Sequence, residues 1–200
     1  MLLRKKSGSG YTNNRKEKMG ANAAILLDRD GVLNKDTGYV YQVEKLIILP
    51  GVLEALTKLK AAQYKLIVVT NQSGIARGYY KESDVAKVHK YMDNIFRKQN
   101  IEISGWYYCP HHPEGVIERY RKTCKCRKPE PGMLLTATKD WNIDLESSYM
   151  IGDKPSDIMA GLAAGVKTIQ ILAKYPSSEK AHFLASSLLE SLKFIPLNNN

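Results

Sequence analysis

Two stretches of the chain are apolar almost without interruption, Ala23-Ala24-Ile25-Leu26-Leu27 and Lys65-Leu66-Ile67-Val68-Val69, and each stops at a polar cluster. Such runs predict strands buried on both faces of a parallel sheet. Shorter runs at Ile103 to Tyr108, Tyr149 to Ile151 and Thr168 to Leu172 predict further strands. Between them the apolar spacing becomes helical. After Pro50-Gly51, residues Val52, Leu53, Leu56 and Leu59 share one helix face, as do Val85, Val88, Met92, Ile95 and Phe96 between Glu82 and Asn100. Gly132 to Trp141 and Ser156 to Ala164 predict two more helices. The alternation predicts an α/β domain with a Rossmann-like, open, doubly wound and mainly parallel sheet. No internal repeat or linker marks a separate cap domain. One domain is expected over residues 21–175, followed by a C-terminal helix and frayed tail at 176–200.

Composition adds compartment and partner class. The 200 residues are 44% hydrophobic and 25% charged, which suits one globular domain. No apolar run approaches the roughly 20 residues of a membrane helix, and Arg4-Lys5-Lys6 follows Met1-Leu2-Leu3 too soon for a signal peptide. The expectation is a cytoplasmic protein with no membrane partner. Residues 1–20 carry six basic side chains against Glu17 alone, so half of the net charge of +10 lies in a leader that reads as a disordered tail. Aromatic residues are only 8%, with no interleaved basic stripe, so a nucleic acid is not the expected partner. The remaining positive charge suits an anionic small molecule.

Ligands of such sheets gather beyond the carboxyl ends of the strands. Asp28-Arg29-Asp30-Gly31 follows the first strand, and in extended backbone the two carboxylates project to the same side. Thr70-Asn71-Gln72-Ser73-Gly74 follows the second strand, and Gly152-Asp153 follows Tyr149-Met150-Ile151, with Asp157 four residues on. Lys128 lies in Arg127-Lys128-Pro129. All three cysteines, Cys109, Cys124 and Cys126, lie within eighteen residues of one another, beside His111 and His112. Thiolates with one imidazole suit tetrahedral zinc as a closed structural set.

Together these motifs resemble the haloacid dehalogenase-like phosphatases over residues 23 to 172. The resemblance implies that Asp28 is the nucleophile, Asp30 the general acid and base, and that Thr70 and Lys128 complete the catalytic set. It implies Mg2+ held by Asp28, Asp30 (through its backbone carbonyl) and Asp153, with Asp157 orienting the ligands. Within the family, Thr70 to Gly78, Tyr107 to Pro113 and Cys124 to Met133 are similar to the branch acting on heptose 1,7-bisphosphate at the 7-phosphate, on the route to ADP-heptose and lipopolysaccharide. That branch implies structural Zn2+ on Cys109, His111, Cys124 and Cys126, in a loop at 109–126. It also implies substrate contacts from Asp36, Gly38, Tyr39, Asn71, Gln72, Ser73, Arg127 and Lys154. With no separate cap domain in the pattern, loops alone are expected to close the site, and a monomer is expected. Histidinol-phosphate phosphatases share the zinc loop and are the alternative. A nucleic-acid-binding protein or polynucleotide 3′-phosphatase is the third reading.

Overall fold

The computed structural model describes residues 22–197; the basic leader expected at 1–20 lies outside them. Six strands form one wholly parallel sheet. They are β1 (Ala24–Leu27), β2 (Lys65–Asn71), β3 (Gly105–Cys109), β4 (Tyr149–Gly152), β5 (Lys167–Ile171) and β6 (Phe183–Ala185), in the order β3-β2-β1-β4-β5-β6. The helices are α1 (Val52–Ala61), α2 (Glu82–Arg97), α3 (Gly132–Trp141), α4 (Pro155–Ala164) and the single turn α5 (Leu188–Ser191).

The continuous apolar runs feed two cores at once. Ile25 and Leu27 of β1, with Leu66 and Val68 of β2, pack beneath Val52, Leu56 and Leu59 of α1 and Val88, Met92 and Phe96 of α2. Ala24 and Leu26, with Ile67 and Val69, face the other way onto Met133, Leu134 and Ala137 of α3 and Ala160 and Ala164 of α4. Alternation along each strand therefore covers both faces of the sheet, which explains why no polar residue interrupts these runs. Because β1 is central, with β2 on one side and β4 on the other, the chain reverses its winding beside β1. That reversal opens a crevice at the carboxyl ends of these strands.

Apart from shifts of a few residues at element ends, the elements differ from expectation chiefly in two places. The third strand begins at Gly105 rather than Ile103: Ile103 packs in the core, and Ser104 N–H bonds Leu66 O just before the ladder. The tail expected to be one helix instead supplies β6, one helical turn and a short 3₁₀ turn at Leu192–Phe194. Three residues are too few for a period to show. Phe183 and Ala185 reach the core, and β6 continues the sheet beyond β5 with Ile169 opposite Phe183.

Candidate active site

β1, β2 and β4 deliver Asp28, Thr70 and Asp153 to one crevice. Asp28 follows Leu27 directly and its N–H bonds Ile151 O of β4 at 2.9 Å, so the nucleophile candidate is fixed by the sheet ladder. Asp28 and Thr70 are buried, and Asp153 is wholly so. Gly31 has φ +89°, and a Cβ there would lie 2.2 Å from Asp153 Oδ2; Gly152 likewise abuts the Asp157 side chain. Glycine at 31 is required on both counts, backbone and space.

Lys128 comes from the loop before α3 and is itself buried. Its Nζ lies 2.8 Å from Asp28 Oδ1, 2.7 Å from Asp157 Oδ1 and 2.7 Å from Val69 O. Burial alone would lower the Lys128 ammonium, but the charges of Asp157 and Asp28 outweigh it and raise it above its ordinary value. Asp157 also accepts the Lys154 N–H at 2.9 Å across the first turn of α4. It is thus a helix cap and a partner of Lys128 together.

Asp153 stands apart. Neither of its carboxylate oxygens has a hydrogen-bond partner, although both are buried. Burial and the neighbouring Asp28 push it up to about 7. Asp28, Asp153 and Asp157 each bring a carboxylate oxygen within 4.8 Å of the others. Partnerless buried carboxylates in such a cluster are what a hard, oxygen-preferring cation satisfies, so the residues fit magnesium. Asp30's side chain is not one of this set.

The Asp30 carboxylate is instead held by the protein. Arg29 Nη2 reaches its two oxygens at 3.0 and 2.8 Å, Asn34 Nδ2 donates at 2.9 Å and Gln72 Nε2 at 3.2 Å. Arg29, fully buried, also donates to Val40 O at 2.8 Å, tying the segment before Tyr41 to the motif. Asn71 uses its amide internally as well. It accepts from Lys128 N–H at 3.1 Å and donates to Lys128 O at 3.0 Å, clamping the lysine's backbone to the end of β2.

A cleft of about 530 Å³ opens over these groups, lined by Asp30, Asp36, Gly38, Tyr39, Asn71, Gln72, Ser73, Arg127, Lys128 and Lys154 among others. The expected substrate contacts are thus together in space. Asp36 accepts Gly38 N–H at 2.9 Å and faces Lys154 Nζ at 3.3 Å. Burial would raise its carboxyl, but these two contacts prevail and hold it below the usual range. Arg127 Nη1 touches His111 O at 3.4 Å. Lys174 and Tyr175, between β5 and β6, also line the cleft, with Lys154 Nζ 5.0 Å from the Tyr175 ring centre. The sequence offered no motif there. Tyr80, which also lines the cleft, was equally unmarked, and Arg29 was marked only as the residue between two candidate carboxylates.

The thiols and one histidine form a second cluster. Cys109, Cys124 and Cys126 are free, with Sγ–Sγ separations of 3.5, 3.2 and 3.2 Å, and His111 Nδ1 lies 3.3 Å from Cys126 Sγ and 3.7 Å from Cys109 Sγ. Four ligands about 2.3 Å from a common zinc would have edges near ~3.8 Å, so the donor set and its size fit that ion. His112 points elsewhere, its Nε2 3.1 Å from Arg77 Nη2.

Residues 125–189 match the HAD-hydrolase-like family. The chain is 46% identical over 174 residues to the D-glycero-beta-D-manno-heptose-1,7-bisphosphate 7-phosphatase of Pasteurella multocida, covering 86% of this chain and 94% of that one. It is 46% identical over 160 residues to the corresponding alpha enzyme of Burkholderia mallei, covering 80% and 85%. The crystal structure of the D,D-heptose 1,7-bisphosphate phosphatase of B. bronchiseptica, complexed with magnesium and phosphate, superposes with a TM-score of 0.75 at 29% identity, covering 86% of this chain and 97% of that one. With the fold, the strand-end carboxylates and these relatives in agreement, the chain belongs to the haloacid dehalogenase-like phosphatases.

Proposed function

We propose that this chain removes the 7-phosphate of D-glycero-D-manno-heptose 1,7-bisphosphate, on the route to the nucleotide-activated heptose of lipopolysaccharide. The observation that carries the chemistry is the buried trio of Asp28, Lys128 and Asp157 beside the partnerless Asp153. The near relatives carry the choice of sugar.

Phosphate esters resist attack because their oxygens repel an anionic nucleophile. Here Asp28 attacks phosphorus, forming an Asp28 O–P bond as the bond to the sugar oxygen breaks. Asp30 gives its proton to that leaving oxygen. Water then attacks the same phosphorus, Asp30 takes the water's proton, and the Asp28 O–P bond breaks to release inorganic phosphate. Splitting one displacement into two lets a single carboxyl act as acid and then base. Lys128 offsets phosphoryl charge from a fixed place, and Thr70 donates toward the transferring group. Magnesium, which Asp28, Asp153 and the Asp30 backbone carbonyl would hold, supplies further charge neutralisation, with Asp157 behind them.

Arg127, Lys154, Asp36, Gly38, Tyr39 and Ser73 line the cleft and contact the sugar or its second phosphate in this reading. Asn71 contributes chiefly by holding Lys128. Zinc on Cys109, His111, Cys124 and Cys126 is structural, and thiols kept free for it suit the cytoplasm. The reading takes the protein as a monomer. Among the described residues no helix is long and apolar enough to cross a membrane.

The test is phosphate release from both anomers of the heptose bisphosphate, histidinol phosphate and a 3′-phosphorylated oligonucleotide, each with and without a magnesium chelator. A heptose bisphosphate is expected to turn over fastest, only without chelator, and Asp28→Asn to be folded and inactive. Faster turnover of histidinol phosphate or of the oligonucleotide overturns the choice of substrate; an active Asp28→Asn overturns the mechanism.

A further inference from the structure

Gln72 lines the cleft, yet it is only 2% exposed and its amide is fully engaged by the protein. Nε2 donates to Thr70 Oγ1 at 3.0 Å and to Asp30 Oδ2 at 3.2 Å. Oε1 accepts the Tyr80 hydroxyl at 2.8 Å. An amide nitrogen has two hydrogens, and both are spent on these neighbours, leaving none for a sugar.

Tyr80 is what fixes the amide the right way round. With the phenol donating to Oε1, Nε2 is left to face Asp30 and Thr70. Tyr80 is buried, stacks on Tyr41 with ring centres 5.0 Å apart, and lies against Gly74, where a Cβ would fall 2.1 Å from the ring. Burial raises its hydroxyl above the ordinary value, so it stays a donor at neutral pH.

We propose that Gln72, seated by Tyr80, is a positioning residue for phosphoryl transfer rather than a sugar contact: it holds the Asp30 carboxyl for proton transfer, with Thr70 Oγ1 as the fixed point that steadies its amide. Arg29 reaches both carboxylate oxygens and Asn34 reaches Oδ1, and Gln72 completes the grip at Oδ2. Because Thr70 Oγ1 accepts from Gln72, its own hydrogen is free to point at the transferring group. The inference rests on Asp30 as the acid of the proposed mechanism, and not on which sugar is the substrate.

The experiment compares phenyl phosphate with p-nitrophenyl phosphate, two esters of similar shape, in the wild type, Gln72→Met and Tyr80→Phe. The phenolate needs the acid's proton to leave; the nitrophenolate barely does. With kcat/KM reporting the first displacement, each variant is expected to lose about tenfold with phenyl phosphate and less than about twofold with the nitro ester. Equal losses with both esters would mark a merely structural role and overturn the proposal, as would no loss with either. So would a defect confined to KM for heptose bisphosphate, the mark of a sugar contact. Tyr80→Phe keeps the ring and its packing, so the comparison stands even if Gln72→Met folds poorly. Wild-type hydrolysis of the aryl esters without that of heptose bisphosphate would overturn the choice of sugar alone.

Discussion

At the scale of single residues, much of the site is steric permission. Gly31 provides a left-handed backbone and the space that Asp153 occupies. Gly31→Ala is expected to keep the fold at a cost of about 1–3 kcal/mol in urea titration, and to lower kcat by roughly 100-fold or more, since displacing reacting groups by about 1 Å has that effect. His89 carries a different constraint. It is buried in α2, stacked on Trp106 at 4.7 Å, and its Nε2 has no partner. Burial, helped by the charge of Arg29, lowers it to about 3. A histidine lowered in the folded state gives stability that is present above its unfolded value and lost as pH falls from about 6.5 towards 3. Between pH 7 and pH 5 His89 should therefore cost on the order of 2 kcal/mol of unfolding free energy, and His89→Phe should flatten that loss in urea titrations. Asp28 and the thiol cluster were legible in the sequence because the one directly follows a buried strand and the other repeats a ligand type at short spacing, whereas Lys128 was marked only through the family resemblance. What Asn71 and Gln72 do was not legible, because a side-chain amide's partners depend on the fold and leave no trace in spacing.

At the scale of elements, the loop between β3 and α3 joins two chemistries. Cys126 stands two residues before Lys128, and Asn71 pins the lysine's backbone to β2. With zinc on the four residues as proposed, a strong chelator or Cys124→Ser is expected to lower the melting temperature by roughly 5–10 °C. The same treatment should reduce kcat even with magnesium in excess, because the loop that carries Lys128 loses its anchor. Full activity in metal-stripped protein shown by elemental analysis to lack zinc would refute this. The strands and helices of this half were legible because their apolar periods are long. β6 was not, since its three residues are recognised only by the neighbour they pair with. The same holds for Lys174 and Tyr175, whose place over the cleft follows from β6 closing the sheet.

At the scale of the whole molecule, the order β3-β2-β1-β4-β5-β6 has a consequence in time as well as in space. β1 leaves the ribosome first among the strands, finds β2 within about forty residues, and pairs with β4 only after more than a hundred, as Ile25 opposite Tyr149 shows. Long-range parallel pairing is the slow part of folding, because loop closure comes before its reward. A growing chain can thus assemble the β1-β2-β3 half, with Asp28 and Thr70 already in register, before the residues bearing Asp153 and Asp157 have been made. Until then Asp28 stands without the two carboxylates that share its cluster. The half-built sheet also exposes the edge of β1 that β4 will cover, an adhesive border for other unfinished chains. The strand order that gathers the site into one crevice therefore also sets the interval during synthesis in which this protein is most exposed to misassembly.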